Sequence, residues 1–337
     1  MQVQKMKTIT PHWDFVNAPC EYASYCGGCK TQNLLYEAQV RAKEQQVSEL
    51  ITHVGKVLTI DKCLLQSEAT NKVLVVIQDG WRDSELGLSP YDVHTHAGFL
   101  KHLMLRSGSD VKTGLTELMV SIVNNVNTSV GNTSLGEEEY ILYGKRTITE
   151  TLRGITFQIS ANSFFQTNTH QVNSSIDFLG DGSEIVLDLF CGTGTIGLTL
   201  ARKVKHVYGY EVVPQAISDA CRNAEQNGIH NATFVIGDLN KISDSFGTEF
   251  PKPDIVISDP NRPGMHMKLI QYLLKLRAKR IVYVSCNPAT CARDLDYLCH
   301  GVAEKDIKGC YKLRSLQPVD MFPHTPHIEC VALLELD

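Results

Sequence analysis

The sequence has no apolar run near the ~20 residues that a membrane-spanning helix needs. Its first seven residues contain neither the apolar core of a secretory signal nor the arginines of a typical organellar leader. It also has no excess of positive charge, since the formal net charge is −5, so charge alone gives no reason to expect a nucleic-acid partner. These absences argue against membrane-spanning and secreted proteins. We expect a cytoplasmic protein, or an organellar one if a leader is missing from this form.

The composition is that of an ordinary globular protein, with 43% hydrophobic and 20% charged residues. A chain of 337 residues is long enough for two domains. Eleven cysteines without a secretion signal indicate a reducing compartment, where cysteines serve as ligands, nucleophiles or core residues. The composition implies no obligate protein partner.

The second half of the chain alternates short apolar strands with helical segments, from a strand expected over Glu184–Phe190 to a last strand expected over Cys330–Leu336. Repeated strand–helix units predict an α/β domain with a mostly parallel sheet, which we assign to residues 151–337. Residues 1–150 are less regular and are expected to form a smaller α+β, cysteine-bearing domain. Within them we expect a helix over Gln32–Ile51 and a loop over Asn124–Ser134.

A glycine-rich segment follows the first strand of the regular half. Gly192, Gly194 and Gly197 have the G-x-G-x-x-G spacing, and Glu211 ends the next strand. This pattern alone fits NAD and S-adenosylmethionine about equally. Asp188 within the strand and the Asp259–Arg262 segment at a later strand end favour S-adenosylmethionine.

One cysteine stands where a strand turns into a helix, a position that holds a side chain at the active edge of such a sheet. This residue is Cys286, and Glu329 supplies a carboxylate from a separate C-terminal segment. A thiol is a strong nucleophile and a carboxylate a suitable base for covalent group transfer. The alternatives are a buried cysteine of the core and an exposed strand carboxylate.

A separate group of candidate ligands lies near the N-terminus. Its members are Cys20, Cys26, Cys29 and Cys63. Four thiolates suit either tetrahedral zinc or an iron–sulfur cluster, and their spacing does not separate the two.

Five ordered motifs resemble the RNA uracil-5-methyltransferase family, namely FFQTN, DLFCGTGTIGL, SDPNRPG, VSCNPATCARDL and VDMFPHTPHIECVALLEL. The likeness extends over Ser160–Leu336. It implies a Rossmann-like class I methyltransferase domain, S-adenosylmethionine as cofactor, and transfer RNA or ribosomal RNA as partner. It also implies that residues 1–150 are a partial central domain, which carries the iron–sulfur site and contacts the RNA. Where the family usually has Asp-Pro-Pro-Arg, this chain has Asn261 in place of the second proline.

The resemblance also implies residue roles. The cofactor pocket would be lined by Gln166, Phe190, Glu211 and Asp259. Cys286 would add to carbon 6 of uracil and Glu329 would remove the proton from carbon 5. A branch of the family holds a [4Fe–4S] cluster, which favours iron–sulfur over zinc at the four N-terminal cysteines.

Other functions remain open at this stage. A cytosine-5 RNA methyltransferase also uses a thiol, although the HIEC and FFQTN segments argue against it. The region before residue 184 is short for the family, so a non-catalytic RNA- or cluster-binding form is a second alternative. An NAD oxidoreductase is a third.

Overall fold

The computed structural model describes residues 16, 34–39, 68–82, 122–126, 138–161, 163–165, 181–242, 246–248, 250–302, 307–322, 325 and 327–337. Four sequence predictions concern residues outside these ranges: Gln166, the four N-terminal cysteines, most of the Gln32–Ile51 helix, and residues 127–134 of the Asn124–Ser134 loop. Within that expected helix, residues 36–39 are helical.

A seven-stranded sheet forms the centre of the described structure. Its strands are β5 (Ile185–Leu189), β6 (His206–Glu211), β7 (Ala232–Ile236), β8 (Ile255–Ser258), β9 (Arg280–Ser285), β12 (Tyr311–Val319) and β13 (Glu329–Leu336). They are arranged in the order β12-β13-β9-β8-β5-β6-β7. The five strands from β5 to β9 are parallel, and β13 and β12 add an antiparallel pair at one edge. This architecture confirms the expected Rossmann-like α/β fold.

The strand order reverses next to β5. The chain passes from β5 to β6 and β7 on one side, and then returns to place β8 on the other side. In open α/β sheets, ligands bind beyond the carboxyl ends of the strands at such a reversal. A ligand site is therefore expected at the loops that follow β5, β6 and β8.

Four helices connect these strands: α2 (Thr195–Ala201), α3 (Pro214–Gln226), α4 (Met267–Leu276) and α5 (Pro288–His300). Each turns an apolar stripe to the sheet. In α4, Leu269, Ile270 and Leu273 are fully buried, with Leu274 beside them. Burying a leucine or isoleucine side chain contributes about 1.5–3 kcal/mol, so this stripe fixes the helix on the sheet. All four residues of β8 are buried, as expected for a strand covered on both faces.

A two-stranded hairpin, β3 (Thr147–Leu152) and β4 (Ile155–Ser160), packs against α3. The backbone groups of β4 that do not pair with β3 form hydrogen bonds with three polar side chains of that helix and its C-cap. Asn227 exchanges hydrogen bonds with both backbone groups of Thr156, at 2.9 and 2.7 Å. Asn223 does the same with Gln158, at 2.7 and 3.2 Å, and Asp219 accepts from the Ser160 amide. Positions four residues apart share one helix face, so the three side chains form a ladder along β4.

The remaining elements are α1 (Glu68–Arg82), a ribbon of β1 (Ile122–Val126) and β2 (Glu138–Tyr143), and the short pair β10 (Gly301–Val302) and β11 (Ile307–Lys308). The prediction of a loop over Asn124–Ser134 was wrong for its first three residues, which belong to β1. Cross-strand pairing of β1 with the apolar residues of β2 outweighs the low strand preference of asparagine. The expected domain boundary after residue 150 falls inside β3.

Candidate active site

The glycine loop after β5 is held by a buried carboxylate. Asp188 accepts a hydrogen bond of 3.0 Å from the amide of Gly197, near the start of α2. A Cβ atom at Gly197 would stand 2.8 Å from both Asp188 Oδ2 and Val207 Cγ1, so this contact requires glycine. Phe190 and Gly192 have positive φ angles of 62° and 54°, which turn the chain sharply away from the sheet. No described atom lies within 4 Å of a Cβ built at Gly192, so the loop faces open space.

The carboxylate of Glu211 is fixed at the end of β6. Its Oε1 accepts from the amides of Val212 (2.8 Å) and Val213 (3.0 Å). Its Oε2 accepts from the amide of Gly192 at 3.2 Å, which joins the ends of β6 and β5. A carboxylate held in this way can accept further hydrogen bonds from a ligand's hydroxyl groups.

Asp188 has an oxygen without a partner. Within the described part of the chain, Oδ1 is buried and accepts no hydrogen bond. Burial raises the pKa of Asp188 to about 7, and the charges of Asp259 and Glu211 add to the rise, although the hydrogen bond from Gly197 opposes it. Burial also raises the pKa of Asp259 to about 6. Because the charges of Asp259 and Glu211 raise the pKa of Asp188, a positively charged ligand near these carboxyl groups would stabilise their ionised forms.

The register of β13 against β9 brings the sequence-distant Cys286 and Glu329 together. Cys330 pairs with Ser285, the last residue of β9, so Glu329 and Cys286 each lie one position beyond this pair. The two residues are close enough for the charge of Glu329 to raise the pKa of Cys286. Because β13 runs against the parallel strands, its first residue lies at their carboxyl ends. Glu329 is 6% exposed and Cys286 is half-buried.

The two side chains influence each other's ionisation. Burial raises the pKa of Glu329 to about 7, the charge of Asp259 adds to the shift, and Arg262 opposes it. Burial also raises the pKa of the Cys286 thiol, as do Glu329 and Asp259, whereas Arg262 lowers it. A nearby cation therefore favours the ionised form of both groups.

The loop after β8 carries both Asp259 and Arg262, and the start of α5 holds it. The Arg262 carbonyl accepts hydrogen bonds of 3.0 Å from the side chains of Asn287 and Thr290. Further along α5, Arg293 donates to the Pro263 carbonyl at 2.9 Å. Asn287 also caps the helix by accepting from the Ala289 amide at 3.1 Å. The residues after Cys286 thus fix the loop that faces it.

A buried hydrogen-bond network around Asp294 adjoins this loop. Asp294 is fully buried and accepts from the Tyr283 hydroxyl and the Met265 amide, both at 2.7 Å. Arg293 donates to the same carboxylate. This network joins β9, α5 and the loop after β8 into one unit.

The structure brings five of the predicted site residues to the carboxyl edge of the sheet: Phe190, Glu211, Asp259, Cys286 and Glu329. Gln166 lies outside the described residues. The segment that leads to it is anchored by Ser163, which donates to Asp219 at 2.8 Å, and by Phe165, which packs on Phe157.

Sequence reasoning missed the ladder of α3 and two exposed apolar residues at strand ends. Val212 directly follows β6 and Ile236 is the last residue of β7, and both side chains are exposed. The ladder did leave a signal. Asp219, Asn223 and Asn227 repeat every four residues on one face of a helix, although such side chains weaken helix interiors.

Among the described residues, no helix has the length and apolar character that crossing a membrane requires. Nor do the described ranges contain three or more His, Cys, Asp or Glu residues grouped as metal ligands. The four predicted cysteine ligands lie outside those ranges.

The chain is similar to known proteins in sequence and in fold. Residues 117–337 match the model of the tRNA (uracil-5-)-methyltransferase family. An uncharacterised RNA methyltransferase of Halalkalibacterium halodurans is 35% identical over 395 aligned positions, covering 96% of this chain and 84% of the relative. One from Chlorobaculum tepidum is 33% identical, covering 99% and 86%. These alignments are longer than the chain, so both relatives contain segments without a counterpart here.

A solved structure extends the likeness to three dimensions. The Pyrococcus abyssi tRNA (uracil-54, C5)-methyltransferase, crystallised with S-adenosyl-L-homocysteine, is 29% identical with a TM-score of 0.70. The match covers 91% of this chain and 85% of that one. The chain belongs to the tRNA (uracil-5-)-methyltransferase family and is an RNA methyltransferase.

Proposed function

We propose that this enzyme transfers a methyl group from S-adenosylmethionine to carbon 5 of a specific uridine in transfer RNA or ribosomal RNA. The observation that carries the proposal is the register that brings Glu329 close to Cys286 at the cofactor edge of the sheet. A nucleophile and a base side by side are what substitution at carbon 5 needs. The similar Pyrococcus abyssi protein is named for the same reaction at a tRNA uridine.

The proposed mechanism begins at Cys286. Carbon 5 of uracil is a weak nucleophile until another group adds to carbon 6. The Cys286 thiolate forms a bond to carbon 6, and the electron pair of the carbon 5–carbon 6 double bond moves onto the carbonyl at carbon 4 as an enolate. When bound, S-adenosylmethionine would supply an electrophilic methyl group for carbon 5 and would leave as S-adenosylhomocysteine.

Glu329 completes the reaction. Its carboxylate removes the proton from carbon 5, the double bond re-forms, and the Cys286 thiolate leaves carbon 6. A carboxyl group with a pKa of about 7 suits this step, because a base works best when its pKa lies near the working pH. Arg262 assists at both ends of the reaction, since its charge favours the thiolate and the carboxylate.

The carboxyl groups at the carboxyl ends of the strands suit the positive charge of S-adenosylmethionine. We assign Glu211 to the ribose hydroxyls, Phe190 and Gln166 to the pocket wall, and Asp259 to the same pocket. The unpaired Oδ1 of Asp188 offers an acceptor to the ammonium group of the methionine moiety. Exposed Val212 and Ile236 offer apolar contacts to the adenine ring.

The substrate uridine must leave its base stack to meet Cys286. A base stacked in a duplex cannot be attacked at carbon 6, so enzymes of this kind flip it out or act on loops. We therefore expect the target to lie in an RNA loop, where extruding a base costs least.

We also propose that Cys20, Cys26, Cys29 and Cys63 hold a [4Fe–4S] cluster. Iron and sulfide content and the visible absorption of anaerobically purified protein test this assignment. A Cys26→Ser variant should lose the chromophore. If the protein contains stoichiometric zinc and no iron, the four cysteines form a structural zinc site and not an iron–sulfur cluster.

The deciding experiment uses labelled methyl donor. The purified chain is incubated with S-adenosylmethionine carrying a radioactive methyl group and total RNA from cells lacking 5-methyluridine. The RNA is then digested to nucleosides. Label in 5-methyluridine supports the proposal, and label in 5-methylcytidine supports the cytosine alternative. No label despite intact cofactor binding would mean that this form does not turn over.

A further inference from the structure

The loop after β8 contains a turn whose backbone is held at several positions. The Asn261 carbonyl accepts a hydrogen bond of 2.8 Å from the Gly264 amide, which closes the turn. The Arg262 carbonyl accepts from two side chains of α5 at 3.0 Å, and the Met265 amide donates to Asp294 at 2.7 Å. A Cβ atom at Gly264 would stand 2.6 Å from Asp294 Oδ2, so the turn also packs closely on the helix. The turn is therefore a rigid part of the active site.

One side chain of this turn is not used by the fold. Asn261 is exposed, and within the described part of the chain its side-chain amide forms no hydrogen bond. An exposed asparagine is ordinary by itself. Here, however, a rigid turn presents hydrogen-bond donors and an acceptor that the described residues leave unpaired.

The turn lies beside the candidate nucleophile. Asn287 follows Cys286 directly and donates a hydrogen bond of 3.0 Å to the carbonyl of Arg262, which follows Asn261. Cys286 and Asn261 are thus the immediate neighbours of two residues in contact. Asp259 and Arg262, on the two sides of Asn261, both act on the pKa of Cys286, the first raising it and the second lowering it. A substrate that reaches Cys286 therefore comes close to the Asn261 amide.

We infer that Asn261 is a specificity-determining residue, whose side-chain amide hydrogen-bonds the edge of a base next to the target uridine. The inference rests on the proposed function, because it names what that site recognises besides the uracil at Cys286. An amide offers donors and an acceptor in one plane, which matches the paired donor and acceptor on the edge of a base. Unstacked bases in RNA loops present such edges.

The chemistry of the side chain favours a base over a phosphate. Contacts with phosphate draw their strength from charge, and Arg262 is the residue of this turn that carries a positive charge. A neutral amide adds little attraction for a phosphate, but it distinguishes a donor from an acceptor and so discriminates between bases. A base with the wrong edge would leave the amide unpaired and would bind more weakly.

Two substitutions remove the amide in different ways. Asn261→Ala removes it alone, whereas Asn261→Pro also stiffens the backbone and restores the usual family pattern. Asn261 is not among the described residues with positive φ, and its backbone N–H donates no hydrogen bond to them. Proline is therefore compatible with this position of the turn.

The first measurement is methyl transfer to total RNA from cells lacking 5-methyluridine, followed by mapping of the methylated uridines. For both variants we expect kcat/KM at the preferred uridine of the wild type to fall about tenfold, within the range for loss of one two-point contact with a base. The loss should appear in KM for RNA, and other uridines should receive a larger share of the methyl groups. Gln226→Ala removes an exposed amide at the end of α3 and is the control, which should behave like the wild type.

Two further measurements separate recognition from a structural role. The affinity for S-adenosylhomocysteine reports on the cofactor pocket, and the rate of Cys286 alkylation by iodoacetamide reports on the position of Arg262. Both should be the same in Asn261→Ala as in the wild type. If either falls together with RNA turnover, the substitution has disturbed the loop, and the inference is overturned.

Three other results contradict the inference. One is an unchanged kcat/KM and an unchanged pattern of methylated uridines in Asn261→Ala. Another is an equal loss at all uridines, which would indicate a contact with the RNA backbone. The third is an Asn261→Pro variant that is as active and as selective as the wild type, which would show that the amide has no role.

RNA binding without cofactor separates this inference from the proposed function. The RNAs that each protein retains from the total pool are sequenced, and Asn261→Ala should enrich the preferred RNAs of the wild type less. If the wild type transfers no methyl group but the variant loses this enrichment, the recognition stands and the proposed reaction fails. If the wild type makes 5-methyluridine and the variant retains and methylates the same RNAs, only the role of Asn261 is lost. A wild type that neither enriches nor methylates RNA overturns both.

Discussion

Asn223 on α3 exchanges two hydrogen bonds with the backbone of Gln158 on β4, as a neighbouring strand would. Its side-chain amide also lies 3.5 Å from the Thr193 carbonyl in the glycine loop. One buried side chain therefore links the hairpin, the helix and the loop at the candidate cofactor site. Asn227 makes the same pair of bonds with Thr156, and its amide also donates to the Asn223 carbonyl instead of to the glycine loop, so the two asparagines form a natural comparison.

We predict that Asn223→Ala weakens cofactor binding more than Asn227→Ala does. Both changes leave backbone groups of β4 without partners, which costs about 1–3 kcal/mol in the free energy of unfolding. Only Asn223→Ala also releases the glycine loop. Calorimetric titration with S-adenosylhomocysteine, alongside urea unfolding, separates the two effects. Equal cofactor affinities in the two variants would show that the contact with Thr193 has no role.

The covalent mechanism predicts opposite behaviour for two variants. Cys286→Ala should form no RNA adduct and no product. Glu329→Gln should add to the RNA and accept the methyl group but resolve slowly, with turnover lowered by about 10²–10⁴-fold. Gel electrophoresis of protein with labelled RNA detects the adduct. Cys221→Ala, which changes an exposed cysteine on α3, is the control and should turn over normally. Normal turnover by Cys286→Ala or Glu329→Gln would rule out the mechanism.

The pKa of Glu329 predicts how resolution of the adduct depends on pH. Burial holds that pKa near 7, and only the ionised carboxylate can take the proton from carbon 5. The rate of adduct resolution should therefore rise as the pH increases through about 7, and fall roughly tenfold for each pH unit below that. Single-turnover measurements between pH 5 and 9 check this. A flat profile would indicate that another group acts as the base.

Much of the sheet was predictable from short apolar runs. The strand expected over Glu184–Phe190 is β5, Ile185–Leu189, and the strand expected over Cys330–Leu336 is β13, Glu329–Leu336. Strands covered by helices on both faces are continuously apolar, so the sequence marks them clearly. β12 was missed because it lies at the sheet's edge. Lys312 to Gln317 are all exposed there. The alternation that starts with Tyr311 and Leu313 breaks at the register irregularity between Leu313 and Ser315, so too little of it remains to identify a strand.

The site was predictable from motifs, but its geometry was not. The resemblance identified Cys286 and Glu329, while their juxtaposition depends on the antiparallel register of β13 against β9. A shift of one residue would turn Glu329 to the other face of the sheet. The ladder of α3 escaped prediction for a different reason. Asp219 and Asn223 have the composition of a solvated helix face, and only the docked hairpin explains their burial.

Arg262 provides a test of the electrostatics around the thiol. Its charge lowers the pKa of Cys286 against the effects of burial, Glu329 and Asp259. We predict that Arg262→Gln raises that pKa and slows alkylation of Cys286 by iodoacetamide at neutral pH, whereas Arg262→Lys keeps most of the wild-type rate. Mass spectrometry of the Cys286 peptide across a pH series measures both. The same pKa in Arg262→Gln as in the wild type would contradict this account.

We predict that the buried carboxylate of Asp188 lowers the stability of the fold at high pH but favours cofactor binding. Its pKa is about 7 in the folded chain and about 4 in an unfolded one, so the folded state holds more protons between these values. Stability therefore decreases as the pH rises through this window, by about 2–3 kcal/mol between pH 5 and pH 8 from this group alone. Asp188→Asn keeps an acceptor for the Gly197 amide and removes the buried charge. Its unfolding free energy should fall less over the same range.

Asp188→Asn should also bind S-adenosylmethionine more weakly than the wild type does. The ammonium group of S-adenosylmethionine would find an amide where the wild type offers a carboxylate with an unpaired oxygen. Thermal unfolding at pH 5 and pH 8, with and without S-adenosylmethionine, measures both effects. Asp79→Asn, on the exposed surface of α1, is the control for removing a carboxylate. If Asp188→Asn is more stable than the wild type at pH 8 and still binds S-adenosylmethionine equally well, the buried carboxylate serves the loop alone. If Asp188→Asn loses S-adenosylmethionine binding but is more stable than the wild type at pH 8, the buried charge of Asp188 costs stability and serves cofactor binding.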